Sequence, residues 1–162
     1  MIDTRLILDW FSQELIERME ANNITHKQLA LECRTRPYNI IGYIQGKNFP
    51  NPWTLVLICE RLGCTVDDIL GYEDSGFVPK RSKERAFTKY PHEDDFTPYL
   101  RNRLIQQMEK HKISAEDLAG ESGVTLITIN RYLCVHSGMP EMPNLLRICD
   151  ALDCTPSELI GY

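Results

Sequence analysis

The chain contains no apolar run near the roughly 18 residues that a membrane span requires. Its start, MIDTRLILDWF, has acidic residues where an export signal carries basic ones, so a cytoplasmic location is expected. Positive charge is not in excess. The 18 Lys and Arg face 23 Asp and Glu, for a net charge of −5. That argues against a non-specific nucleic-acid coat but not against a binder with its basic residues gathered on one face. No stretch alternates apolar and polar residues in the way a half-buried strand does. The four histidines, His26, His92, His111 and His136, are scattered, and no nucleophile or carboxylate pair accompanies them. Neither catalysis nor a cofactor is therefore expected.

An apolar fraction of 43% with 25% charged residues is that of a globular protein. Six cysteines are the unusual feature, and four of them fall in two pairs of one spacing, Cys59/Cys64 and Cys149/Cys154. Neither pair has a histidine at ligand spacing, and a four-thiolate site would require two separate segments to meet. Buried cysteine behaves as a small hydrophobe, so a metal-free core role is expected. In a reducing cytoplasm the thiols stay free.

The pairs belong to a longer repetition. The stretch ICERLGCTVDDILGY at 58–72 returns as ICDALDCTPSELIGY at 148–162. At a shift of 89, Ile16 meets Ile105, Met19 meets Met108, Leu29-Ala30 meets Leu118-Ala119 and Tyr43 meets Tyr132. After one inserted residue the shift becomes 90, and Gly71-Tyr72 meets Gly161-Tyr162. Two copies of one backbone are implied: a domain over 1–72, a charged linker over 73–97 and a second domain over 98–162. The linker holds a basic cluster (Lys80, Arg81, Lys83, Arg85) and an acidic one (Glu93, Asp94, Asp95), and reads either as a spacer or as an arm touching phosphate.

Each copy reads as five short helices, giving an all-α chain. Thr25 and Gln28 have the spacing of a capping box. Pro37 suits the first turn of a third helix. Ser114, Thr125 and Thr155 mark starts in the second copy, where Thr97-Pro98 reads as the cap of the first helix. Trp10 and Trp53 read as core or inter-domain packing. Each Gly-Tyr reads as a helix C-cap whose tyrosine either folds back on its own domain or meets the other at a shared seam.

In QLALECRTRPYNIIGYIQGK (28–47) and DLAGESGVTLITINRYLC (117–134), a Leu-Ala pair near the end of one helix precedes a tight turn and a helix carrying a buried isoleucine and tyrosine. That is helix-turn-helix spacing. Both copies resemble the phage Cro/repressor helix-turn-helix family (XRE family, lambda-repressor-like). LAGESGVTLITINRYL carries the resemblance in the second copy and GKNFPNPWTLVLICERLGCTVDDIL in the first. The resemblance implies two tandem five-helix domains in a phage or prokaryotic transcription regulator that binds double-stranded DNA. Each third helix would lie in the major groove with its first residues at base edges. By position these are Arg36, Pro37, Tyr38, Ile41, Gly42 and Gln45, and Thr125, Leu126, Ile127, Asn130, Arg131 and Cys134. Asn39 adds a side chain suited to base readout, and Lys47 is a further DNA-binding candidate. Backbone N–H groups near Thr25 and His26, and near Ser114, would meet phosphate.

This chain departs from the family where Pro37-Tyr38 and Leu126-Ile127 stand early in the third helices in place of polar residues. Leu126 and Ile127 can press on thymine methyls or face a protein. Two readings follow. In the first, two fused domains read an asymmetric or bipartite site without needing a homodimer, because linkage makes the second contact intramolecular. In the alternative, one or both domains bind a protein partner, as an antitoxin-like or anti-repressor module.

Overall fold

Side-chain caps begin most of the helices in the computed structural model, which describes residues 2–72, 93–136 and 138–162. In the first half, α1 (Thr4–Ala21) starts with the Asp3 carboxylate accepting from the Arg5 and Leu6 amides. α2 (His26–Glu32) starts with the Thr25/Gln28 capping box and α3 (Pro37–Ile44) with Pro37. α4 (Pro52–Leu62) is capped by Asn51, and α5 (Val66–Leu70) by a Thr65/Asp68 capping box. The second half contains α6 (Glu93–His111), α7 (Ala115–Ser122) and α8 (Leu126–Leu133), then α9 (Met142–Ala151) and α10 (Pro156–Ile160). Ser114, Thr125 and Thr155 cap α7, α8 and α10. All regular structure among the described residues is helical.

The helices of the two halves start at corresponding positions, and so do the backbone turns between them. Left-handed φ values recur in register at Asn23 and Lys112, Arg34 and Gly123, Gly63 and Asp153, and Gly71 and Gly161. Side chains tolerate this region poorly, so its recurrence marks one chain path used twice.

The start of α6 corrects the reading of Thr97-Pro98 as a cap. The helix begins at Glu93, which is Thr4 shifted by 89, and Pro98 lies inside it. Three acidic residues in the first turn favour the helix dipole. The added turn buries Phe96, which is 1% exposed, and both effects oppose the amide bond that Pro98 cannot donate. Residues 93–97, read as the end of the linker, are therefore helical. The basic cluster Lys80, Arg81, Lys83 and Arg85 lies outside the described residues.

The repeated cysteines occupy the two contacting positions of a helix-ending motif. The Cys64 amide donates to the Cys59 carbonyl at 3.0 Å and the Gly63 amide to Glu60 at 3.3 Å. Cys154 to Cys149 (3.1 Å) and Asp153 to Asp150 (3.3 Å) repeat the pattern. This is the Schellman arrangement, in which the side chains three before and two after the cap pack together. Burial pushes the Cys59 thiol well above its ordinary range. Cys33, also buried, is pushed up to about 12. Protonated thiols are poor nucleophiles and poor metal ligands. Cys64 differs, since its hydrogen bond with Cys59 lowers its pKa.

The two halves share a seam. Helix α5 packs on α10, and α1 touches α9. Asp67 and Ser157, equivalent residues of the repeat, meet across it. The Asp67 amide donates to Ser157 Oγ and the Ser157 amide to Asp67 Oδ1, both at 2.9 Å. The Val66 amide donates to the Tyr162 carbonyl at 3.1 Å. The Trp53 and Phe96 rings, one from each half, also lie 5.4 Å apart. Pairing of equivalent residues is the mark of a two-fold interface, here within one chain. Tyr72 is half-buried, and burial, with the Asp150 carboxylate of the second half nearby, raises its hydroxyl above the ordinary range. Tyr72 thus lies toward the second half, while Tyr162 reaches the first half through its backbone carbonyl. Trp10 differs from expectation: it is 54% exposed and covers Gly71 instead of entering the core.

Burial raises the Asp67 pKa, and hydrogen bonds from Ser157 oppose the rise only in part. A carboxyl raised in the fold contributes stability that is present below its unfolded value and lost as pH climbs through the folded one. Asp67→Asn keeps an acceptor oxygen for the Ser157 amide without the charge. Relative to the native chain, the variant is expected to gain stability from pH 3 to pH 7 in urea unfolding series. A pH-independent difference between the two would contradict this account of Asp67.

Candidate nucleic-acid interface

Helix α3 is held from beneath and leaves one face free. Ile40 is fully buried and Tyr43 nearly so. Phe11 packs against Tyr43 edge-on at 6.5 Å. Ser12 Oγ donates to the Tyr43 carbonyl at 2.8 Å, and the Arg5 guanidinium reaches the Gly46 carbonyl at 3.1 Å. These contacts tie the end of α3 to α1. Helix α8 is held in the same way, with Ile129 and Tyr132 buried and the Tyr132 hydroxyl accepting from Asn144 Nδ2 at 2.9 Å. Arg101, on α6, donates to the Val135 carbonyl at 3.1 Å. Gly46 and Val135 correspond at the shift of 89, so an arginine from the first helix of each half braces the same carbonyl. Arg5 and Arg101 are not themselves equivalent, and for that reason the brace escaped the alignment.

The free faces carry most of the residues singled out from sequence. Arg36, Gln45 and Lys47 are exposed, and Tyr38 is 77% exposed. On α8 Thr125, Asn130 and Arg131 are exposed, with Leu126 and Ile127 beside them. Ile127, 83% exposed, has almost no contact with its own domain. The Arg131 guanidinium lies 5.7 Å from the Tyr132 ring centre, a cation–π distance.

Other residues are drawn inward or occupied. Asn39 is half-buried and donates to Thr35 Oγ1 at 2.9 Å, which ties its amide to the preceding turn. Thr25 is engaged in its capping box, Ser114 donates to Asp117 Oδ2 at 2.7 Å, and Thr125 Oγ1 caps α8. His26 is half-buried at the first position of α2. Sequence reading passed over Lys27 and Arg34, both exposed on the α2–α3 unit. Arg34 could have been found from its alignment with Gly123, which places it in the turn between the helices.

Among the described residues, no group of three or more His, Cys, Asp or Glu side chains could hold a metal ion. No helix among them is long and apolar enough to cross a membrane.

Residues 103–162 match the family model of the Cro/C1-type HTH DNA-binding domain. The match begins within α6 and covers α7, the turn, α8 and the two helices that follow. It supports DNA as the partner of this part of the chain. The match does not extend to the first half, although the helices there follow the same order. No curated protein matches the chain, and no solved structure does.

Proposed function

We propose that the chain is a sequence-specific DNA-binding transcription regulator whose two fused helix-turn-helix halves read one asymmetric or bipartite site. The observation carrying this reading is that α8, within the matched domain, turns Asn130 and Arg131 outward at the position where a recognition helix meets bases. The first half supports a second reading head, because α3 exposes the corresponding face and the seam joins the halves through equivalent residues. The exposed third-helix residues differ between halves, which favours an asymmetric site over a palindrome. The regulator acts without catalysis or cofactor, in the cytoplasm, and the seam takes the place of a homodimer interface.

Arg131 provides the test. If it holds a base in bidentate fashion, Arg131→Ala costs about 1–3 kcal/mol of binding and relaxes preference at one base position. Binding titrations against a selected DNA and its single-base variants measure both effects. Unchanged affinity with unchanged salt dependence would mean that α8 does not read DNA. The protein-partner reading would then lead for the second half, favoured by the exposed Leu126, Ile127 and Val135.

A further inference from the structure

The two helix-turn-helix faces carry opposite charge on the same backbone. Over 26–47 the first half has Lys27, Arg34, Arg36 and Lys47 against a single acid, Glu32. Glu32 is paired with Arg61. All four basic side chains are exposed, and none forms an ion pair among the described residues. Over the equivalent span 115–136, the second half has Glu116, Asp117 and Glu121 against Arg131 alone. These three acids are exposed and form no ion pair among the described residues, although Asp117 accepts from the Ser114 hydroxyl. At the shift of 89, Lys27 falls on Glu116, so one position at the start of the second helix changes sign between halves.

Duplex DNA presents a dense row of phosphates, and basic side chains that neutralise them supply most non-specific affinity. Exposed charges act over a Debye length of about 8–10 Å at ordinary salt. A carboxylate at the edge of a docked helix is within that range of the backbone. The first face therefore attracts phosphate and the second repels it.

We infer that the phosphate backbone is gripped by the first half, through Lys27, Arg34, Arg36 and Lys47, although the family match lies in the second. Helix α8 then reaches DNA because the seam delivers it there, at the effective concentration that linkage provides. Its contribution is to base choice, through Arg131 and the apolar Leu126 and Ile127. This inference rests on the DNA-binding reading proposed above.

The test uses the full chain and a DNA duplex recovered by selection, with affinity measured over a series of salt concentrations. Lys27→Gln, Arg36→Gln and Lys47→Gln are surface changes, and unchanged unfolding midpoints would show that the fold survives. Each is expected to weaken binding to every sequence and to lower the slope of log affinity against log salt by about 0.9. Glu116→Gln is expected to tighten binding to every sequence. Unchanged affinity and slope in the three first-half variants, with the native chain still binding its selected duplex, would overturn the inference and leave the DNA reading intact. So would weaker binding by Glu116→Gln. A native chain that retains no duplex at low salt would overturn the DNA reading itself, and this inference with it.

Discussion

Phe96→Ala is expected to destabilise the chain by about 3–5 kcal/mol, the range for emptying a buried aromatic site. Phe96 is 1% exposed, and its ring lies 5.4 Å from Trp53 and 6.2 Å from Tyr99. Alanine would lose the apolar transfer energy and leave a cavity between elements that cannot close on it, because Trp53 belongs to α4 and Phe96 to α6. Aromatic pairing adds about 0.5–1.5 kcal/mol to the simple burial. Phe96→Leu refills much of the volume and should lose clearly less. Chemical unfolding followed by circular dichroism measures the cost. Since the ring pair bridges the seam, the variant should also separate the unfolding of the halves. A loss below about 1 kcal/mol, within reach of an ordinary surface change, would show that Phe96 is not buried at a seam.

Gly161→Ala is the second large effect. Gly161 has φ of +82°, where a side chain costs about 1–2 kcal/mol. The added Cβ would also fall on the Tyr99 hydroxyl. Relieving such an overlap costs about 1–3 kcal/mol. The next residue cannot shift freely, since the Tyr162 carbonyl accepts from Ser157 Oγ at 2.8 Å and from the Val66 amide at 3.1 Å. A total of about 2–5 kcal/mol is expected from these two terms. Gly63→Ala is the control. Its φ is +70°, but no atom lies within 4 Å of the added Cβ, so only the backbone cost remains. Equal losses in the two variants, measured in the same denaturant series, would remove Tyr99 from the explanation.

Much of the fold was legible because local signals and the repeat agreed. Thr25 and Thr155 announced helix starts through capping chemistry that depends on only four residues. Ile40, Tyr43, Ile129 and Tyr132 fell on the buried faces at helical spacing. Pro98 misled because proline is common at a first helical position. The shift of 89, applied to Thr4, gives Glu93 as the true start. Register outranked local chemistry there, since Phe96 had a core position to fill. The sequence left a seam as one option for the tyrosines and tryptophans but could not choose it or name its contacts. That Asp67 and Ser157 are equivalent follows from alignment, but their meeting depends on a two-fold relation in space. Trp10 was misplaced because a tryptophan on an apolar stripe can lie flat over a glycine as readily as enter a core.

The interface was legible in part for similar reasons. The family resemblance placed Tyr38, Ile127 and Arg131 on the outer faces, and all three are exposed. It could not foresee that Asn39 would bond back to Thr35, since both side chains are polar and only geometry chooses the partner. The sign change between Lys27 and Glu116 lay in the register but outside the motif that carried the family resemblance.

The most direct measurement is selection from a random duplex library with the full chain, followed by sequencing of the retained DNA. The account predicts one enriched site made of two unlike half-sites, about 10–10.5 base pairs apart from centre to centre, one helical turn. Enrichment should fall in Arg131→Ala at positions within a single half. A library that emerges without enrichment, or one that yields a strict palindrome with identical halves, would contradict it.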